Sequence, residues 1–272
     1  MDGNFSIITP NYNMAGYLAE TIESVLANLR PGDEYFIIDG GSTDGSVDII
    51  RRYEHRLTGW VSEKDRGYAD ALAKGFAGSS GEFQCWVNCG DLLVPDALRK
   101  ARELLSSEEI DFFYGNAADI DDDGKILWIS QADFQPLRRY MQLGGWTPLQ
   151  ISCFWRKQLY QRCGGIDPEV KLAADYDLFL RMTRTARTQY WPLVFGAHRH
   201  HQGQLSISQI GKYNEERYNI RSKELTMDNS AAGWLIMAYY WLLTRLKCRY
   251  FNRSPLTRLW VNQDFSAIKN AV

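Results

Sequence analysis

Residues 35–46 read YFIIDGGSTDGS, and this stretch decides the fold. Tyr35 to Ile38 run without a break into Asp39, and a loop of Gly, Ser, Thr and Asp follows. A short continuous apolar run bounded by turn residues reads as a buried strand. Beyond the loop, Val47, Ile49, Ile50 and Tyr53 return at helical spacing. The same order appears upstream. Phe5 to Thr9 (FSIIT) reads as a strand that stops at Pro10, and Asn11, Tyr12 and Asn13 make a polar turn. Leu18, Ile22, Val25, Leu26 and Leu29 then share one helical face. Strand, loop, helix, repeated, predicts the start of a parallel sheet covered by helices, an α/β fold.

Working outward, Trp60 to Ser62 predicts a third strand and Arg66 to Phe76 a helix. Phe83 to Val87 (FQCWV) predicts a fourth buried strand, which runs into Asn88-Cys89-Gly90-Asp91. Pro95 opens a helix that continues to Leu105, as proline does in a first turn. Phe112 to Asn116 and Lys125 to Ile129 predict strands on either side of a DDDG turn. Gly144 to Pro148 reads as a loop, Ile151 to Trp155 as a strand, Lys157 to Cys163 and Asp175 to Met182 as helices, and Tyr190 to Phe195 as the last strand. Past Gln209 the composition changes. A charged helical segment (KYNEERYNIRSKEL) precedes an uncharged run, Asn229 to Thr244, and a basic tail with Lys247, Arg249, Arg253 and Arg258. The chain therefore divides into an α/β domain, 1–209, and a helical extension, 210–272.

The bulk properties narrow the function. A chain of 272 residues, 45% hydrophobic and 24% charged, is an ordinary globular protein. A net charge of -2 argues against a general nucleic-acid binder. The 5 cysteines form no CxxC pair, so a disulfide framework or zinc knot is not expected, and a reducing cytoplasm fits. MDGNFSIITP has no basic and apolar leader pattern. The run from Asn229 to Thr244 falls short of the roughly 20 apolar residues that span a bilayer. It reads as a core helix, a homodimer helix or a membrane-surface helix, and aromatics flanked by Arg and Lys favour the surface.

Ligands of an open parallel sheet sit at the carboxyl ends of its strands. The first strand ends at Thr9-Pro10-Asn11-Tyr12, the second at Asp39, the fourth at Asn88 and Asp91. Each alone could be a turn; coinciding at one edge, they mark a site. Neither a G-x-G-x-x-G fingerprint nor a G-x-x-x-x-G-K-[ST] loop is present. A bound pyrophosphate would need another positive charge, which a divalent metal on a strand-end carboxylate supplies.

The series ITPNYN, IIDGGSTDGS, SEKDRGYADALAKGF, SSGEFQCWVNCGD, TPLQISCFWRKQLYQRCGGIDPE and AADYDLFLRM, ending near HRHHQGQLS, resembles family 2 glycosyltransferases with the Rossmann-like GT-A fold over residues 4 to 208. The resemblance implies an inverting transferase. It would move a sugar from a UDP, GDP or dTDP donor to a glycan or lipid-linked glycan acceptor, on the cytoplasmic side and peripheral to the plasma membrane. It implies that Thr9, Pro10 and Tyr12 cradle the base, that Asp39 accepts a hydrogen bond from it, and that Asp65, Arg66 and Lys74, with Asn88, line the nucleotide side. Asp91 matches the second aspartate of a metal-binding motif for Mn²⁺ or Mg²⁺. Asp175 matches the general base, and His201 a histidine near metal and phosphates. Two positions depart from the pattern: Gly90 replaces the motif's first aspartate, and Ala174 replaces the glutamate before the base. A catalytically weak sugar-nucleotide-binding protein is the alternative these departures raise. A nucleotidylyltransferase would need a glycine-rich basic loop where ITPNYN stands.

Other residues keep a structural reading beside the functional one. Asp175 reads equally as an N-terminal cap or first-turn acid of its helix. Alternation puts His198 and His200 on one face of an extended chain and His201 on the other, which disfavours a site of all three. Cys85 and Cys89 read as buried apolar residues. Trp146 stacks on acceptor sugar or packs in the core, and Gln150 follows it on the acceptor side.

Overall fold

The computed structural model describes residues 3–201, 204, 208–224, 231–251 and 263–265. β1 (Phe5–Asn11) is buried at every position, which its unbroken apolar run requires. α1 (Ala15–Leu26) returns the chain to β2 (Glu34–Asp39), and α2 (Ser46–Tyr53) to β3 (Gly59–Ser62). α3 (Tyr68–Ala77) leads to β4 (Phe83–Trp86). These strands pair in parallel in the order β3-β2-β1-β4. Side chains alternate across the sheet with period two. Phe5, Ile7 and Ile37 join the core under α1, α2 and α4 (Ala97–Leu105), whereas Ile8 and Ile38 join a second core under α3.

The sheet continues with antiparallel pairs and one parallel pair. β5 (Leu92–Leu93), β6 (Phe112–Ile120), β7 (Ile126–Ser130), β8 (Cys153–Arg156) and β9 (Thr188–Arg199) complete the order β3-β2-β1-β4-β8-β6-β9-β5, with β7 beside β6. The parallel pair is β6 with β9. The helical turn α5 (Leu137–Arg139), a π-turn over Tyr140–Gly144, α6 (Lys157–Arg162) and α7 (Ala174–Met182) cover one face.

Four strands differ from the sequence reading: β5 is absent from it, β6 runs past Asn116 to Ile120, and β8 and β9 differ in extent. The segment expected at Ile151 to Trp155 begins as a 3-10 turn, Gln150–Ser152, before β8. β9 runs well past Phe195, because its polar end pairs in parallel with the buried end of β6: Asp119 opposite His198 and Ile120 opposite Arg199. Pro192 is accommodated where the register shifts between Tyr114–Tyr190 and Asn116–Val194.

The extension supplies α8 (Ile210–Glu224) and α9 (Ala231–Phe251). α9 lies on the 137–144 turns. Tyr240 meets Tyr140 edge-on at 5.3 Å, and Lys247 Nζ donates to the Asp133 carbonyl at 2.8 Å while facing the Phe134 and Tyr140 rings. Leu235, Tyr239, Leu242 and Leu246 form the exposed stripe on the helix. No helix among the described residues is long and apolar enough to cross a membrane. Arg253 and Arg258 fall outside the described residues, as do the side chains of Trp234 and Arg249.

Candidate active site

The carboxyl ends of β1, β2 and β4 meet at one edge. Thr9 is buried, its hydroxyl 3.0 Å from the Tyr35 hydroxyl, and Pro10 is buried beside it. Tyr12 projects from the strand end with 63% of its surface exposed, leaving a ring face open. Asp39 is fully buried and already engaged. It accepts from Asn11 Nδ2 (2.6 Å), the Gly41 and Ser42 amides (3.1 and 2.9 Å), and the Ser42 and Ser62 hydroxyls (2.5 and 2.6 Å). Burial works against its charge, but the Ser42, Ser62 and Asn11 bonds outweigh it and lower the pKa. Asp39 thus anchors the 40–42 loop. Asp65 comes alongside: a methyl built on Gly40 would meet its Oδ2 at 2.8 Å. Arg66 and Lys74 are tied to acids at the rim, Arg66 to Asp70 (3.0 Å) and Glu169 (2.9 Å), Lys74 to Glu63 (2.7 Å).

Asp91 is buried after β4. Its Oδ1 accepts the Arg199 amide at 3.1 Å, and Asn88 Nδ2 lies 3.5 Å from its Oδ2. Asn88 Nδ2 also donates to Gln150 Oε1 at 3.1 Å, and Gln150 Nε2 donates to the Trp86 carbonyl, so Asp91, Asn88 and Gln150 form one chain. Burial raises the Asp91 pKa against the His198 charge and the Arg199 amide bond. Gly90 has φ +103°, a conformation that L side chains rarely adopt. The backbone here favours glycine at the position where the family pattern has aspartate. The Gly90 carbonyl accepts Arg199 Nε at 3.0 Å. Arg199 is buried; it also donates to the Asp121 and Asp122 carbonyls (3.2 and 2.7 Å) and to Glu20 Oε2 (2.6 Å).

The parallel register of β6 and β9 brings Asp119, His198 and His200 together, with one ligand atom of each within 4.8 Å of the others. Asp119 Oδ1 lies 3.3 Å from His198 Nδ1 and 2.8 Å from His200 Nε2, and Asp119 Oδ2 accepts the Ser130 hydroxyl at 2.5 Å. Burial disfavours the His198 imidazolium, but the Asp119 hydrogen bond and the charges of Asp91, Asp119 and Asp175 raise its pKa overall. One ring therefore senses all three carboxylates. A carboxylate with two imidazoles suits a divalent first-row transition metal better than Mg²⁺. His201 stands apart, its ring 5.3 Å from that of Tyr17.

Asp175 lies in the first turn of α7, and the N-cap is Ala173, with no side-chain cap. Asp175 is therefore not the capping residue. Its Oδ1 is buried without a hydrogen-bond partner, and burial raises its pKa, against the Tyr176 amide and the Arg217 charge. The capping falls to distant residues. Tyr68 Oη accepts the Ala174 amide at 2.9 Å, and Glu216 of α8 accepts the amides of Lys171 (2.8 Å), Leu172 and Ala173 (both 2.7 Å). Trp146 stacks on Phe134, centroids 3.8 Å apart, and remains half-buried. Cys85 is buried and Cys89 half-buried, and both are free thiols.

Sequence reasoning missed Asp119, Arg199 and Glu216. Asp119 did leave a signal: a lone carboxylate inside the apolar run FFYGNAADI needs a buried partner. The other two act across separations that no local pattern records.

A sequence model described as Glycosyl transferase family 2 matches residues 6–163. An uncharacterized glycosyltransferase of Mycobacterium tuberculosis is 30% identical over 182 residues, 65% of this chain and 67% of the relative. Alignments to uncharacterized glycosyltransferases of Nostoc sp. and Rickettsia bellii span about a third of those relatives' length, 34% and 32%. Among solved structures, S. aureus TarS 1-349 in complex with UDP-GlcNAc superposes with TM-score 0.65 at 17% identity, covering 87% of this chain and 71% of that one. The mannosyltransferase PcManGT from Pyrobaculum calidifontis, in complex with GDP-Man and Mn2+, superposes with TM-score 0.65 at 19% identity, covering 89% and 70%. Both are GT-A glycosyltransferases, and the mixed, mostly parallel sheet with its helices is the GT-A fold.

Proposed function

This chain belongs to glycosyl transferase family 2, and we propose that it transfers a sugar from a nucleoside-diphosphate donor to an acceptor hydroxyl by a single inverting displacement. The observation that carries this reading is Asp175: a half-buried residue whose Oδ1 is buried without a hydrogen-bond partner and whose pKa is raised, in electrostatic contact with the same histidine as Asp91. Such a group is suited to accept a proton. In the reaction Asp175 takes the proton of the acceptor hydroxyl. The acceptor oxygen bonds to the anomeric carbon as that carbon's bond to the diphosphate oxygen breaks, and the nucleoside diphosphate leaves.

The base would rest against Tyr12, with Thr9, Pro10 and the Asp39-anchored loop beneath it and Asp65, Arg66, Lys74 and Asn88 along the nucleotide. UDP, GDP and dTDP sugars are the donor classes. The PcManGT complex and the local donor set support a divalent metal, Mn²⁺ or Mg²⁺, held by Asp91 or by the Asp119–His198–His200 group. When bound, such an ion offsets charge developing on the leaving diphosphate. His201 would serve the phosphate side. Trp146 and Gln150 would face the acceptor, a glycan or lipid-linked glycan. Residues 1–209 form the catalytic domain in this reading, and 210–272 the extension.

The test is transfer and hydrolysis with UDP-, GDP- and dTDP-sugars, alongside thermal shift. At least one donor should stabilise the protein and be turned over. Asp175→Asn should keep donor binding and lose at least about a hundredfold in transfer, as removal of a general base does. Near-normal turnover of this variant at saturating donor would remove Asp175 from the role.

α9 supports a peripheral site on the inner face of the plasma membrane. Its exposed Leu235, Tyr239, Leu242 and Leu246 accompany exposed Arg245 in a helix with no acidic residue. A homodimer through this helix would bring like charges together, whereas anionic lipid matches them. Flotation with anionic and neutral liposomes should show salt-sensitive binding to the anionic set, lost on truncation after Met227. Equal recovery of both forms unbound would leave a protein contact instead.

A further inference from the structure

The inference concerns the acceptor and rests on the glycosyltransferase reading above. Two of the three acids of α8 serve the protein's own chain: Glu216 holds the amides before α7, and Glu224 pairs with Arg138 and Arg184. Two of its arginines differ. The Arg217 guanidinium lies over the rings of Tyr176 (4.8 Å) and Tyr213 (5.2 Å). Tyr176 directly follows Asp175, so this cation stands beside the catalytic carboxylate. A methyl built on Gly145 would meet Arg221 Nη1 at 2.7 Å and Arg217 Nη2 at 3.8 Å, so both guanidinium groups converge on the backbone next to Trp146. Among the described residues neither has a carboxylate oxygen within 4.0 Å, and Arg217 Nε is buried with no hydrogen-bond partner.

Arginines elsewhere in the molecule show the contrast: buried Arg102 and Arg199 each have a carboxylate partner. Both residues are half-buried, Arg217 feels the Asp175 charge without forming an ion pair, and a guanidinium stacked on an aromatic ring still presents its N–H edge for bidentate binding. A cavity of about 460 Å³ lies on the Glu216 side of the helix, bordered by Lys171, Lys212 and Glu216. We infer that Arg217 and Arg221 bind an anionic group of the acceptor, a phosphate or carboxylate carried near the hydroxyl that reacts. The acceptor class is then an acidic glycan or a polyol phosphate, and a neutral sugar lacks the group these residues recognise.

The test uses the full chain saturated with whichever of UDP, GDP or dTDP binds best, so that the donor site is filled. Glycerol 3-phosphate and glycerol are the probes, titrated by ligand-observed NMR. Glycerol 3-phosphate should bind at least about tenfold more tightly than glycerol, since charge-assisted bonds are about twice as strong as neutral ones. Arg217→Gln and Arg221→Gln should each weaken it about tenfold and leave nucleoside diphosphate affinity within about twofold, and Arg217→Lys should fall between. Equal affinity for the two probes, or phosphate binding unchanged in both glutamine variants, overturns the inference. So does a parallel loss of nucleotide and phosphate, which would put the arginines on the donor side. If Arg217→Gln does not fold, Arg221→Gln decides. Failure of every nucleotide to bind the wild type would instead sink the glycosyltransferase reading.

Discussion

Glu216→Ala separates an extension that merely follows the catalytic domain from one that holds it together. The carboxylate accepts three amides, Lys171, Leu172 and Ala173, at 2.7–2.8 Å. Lys171 is exposed, so its amide finds water when the carboxylate goes, but Ala173 is fully buried and Leu172 half-buried. Each buried N–H left without a partner costs about 1–3 kcal/mol, so the loss falls near about 2–3 kcal/mol. Glu216→Gln keeps an acceptor and loses only charge assistance, about 1 kcal/mol. Urea unfolding measures both, and hydrogen exchange localises them: amides 171–173 and the first turn of α7 should lose protection, while β1 and β4 should not. Because Asp175 sits in that turn, kcat should fall more than donor affinity. An alanine variant within about 0.5 kcal/mol of the wild type, with unchanged exchange at 171–173, would refute the reasoning.

The pH profile of transfer should show an acid limb with its midpoint above 3.8, the ordinary aspartate value, because burial raises the Asp175 pKa. The same shift means the folded state binds this proton more tightly than the unfolded chain. Its contribution to stability is therefore lost as pH rises through that window, and Asp175→Asn should raise Tm at neutral pH; a lower Tm there would contradict the buried, unpaired carboxylate. Asp91→Ala should weaken donor binding and remove Mn²⁺ or Mg²⁺ dependence, and full activity in EDTA, indifferent to this change, would show the metal misplaced. Gly90→Asp, which supplies the family's common residue, should destabilise by about 1–2 kcal/mol rather than simply tighten donor binding, since φ is +103° there; unaltered urea unfolding would count against it.

The strand ends at Asp39 and Asp91, and the helix that carries Asp175, were legible because each is a local pattern: an apolar run, a turn, a period. His198 and His200 were legible as one face of a strand. Their partner Asp119 was not, because it lies 79 residues from His198 and depends on the register of β6 against β9. Glu216 was hidden for a different reason. The break at 209 follows composition, and composition does not record that a charged, exposed helix sends one carboxylate back to the amides before α7. Arg217 and Arg221 likewise lay in a segment that reads only as a charged helix.

Arg199 divides the molecule into stiff and compliant parts. Its guanidinium makes four hydrogen bonds, to Gly90, Asp121, Asp122 and Glu20, and so rivets α1, the loop after β4 and the turn after β6 to the end of β9. Displacing that loop means breaking them together inside a buried pocket. On the opposite rim the side chains of Glu63 and Arg66 are fastened by ties that water can replace, Lys74 to Glu63 and Arg66 to Glu169. The two walls of this edge therefore differ in what holds them: shifting the Asp91 wall breaks bonds to a buried guanidinium, whereas shifting the Arg66 side breaks surface ion pairs.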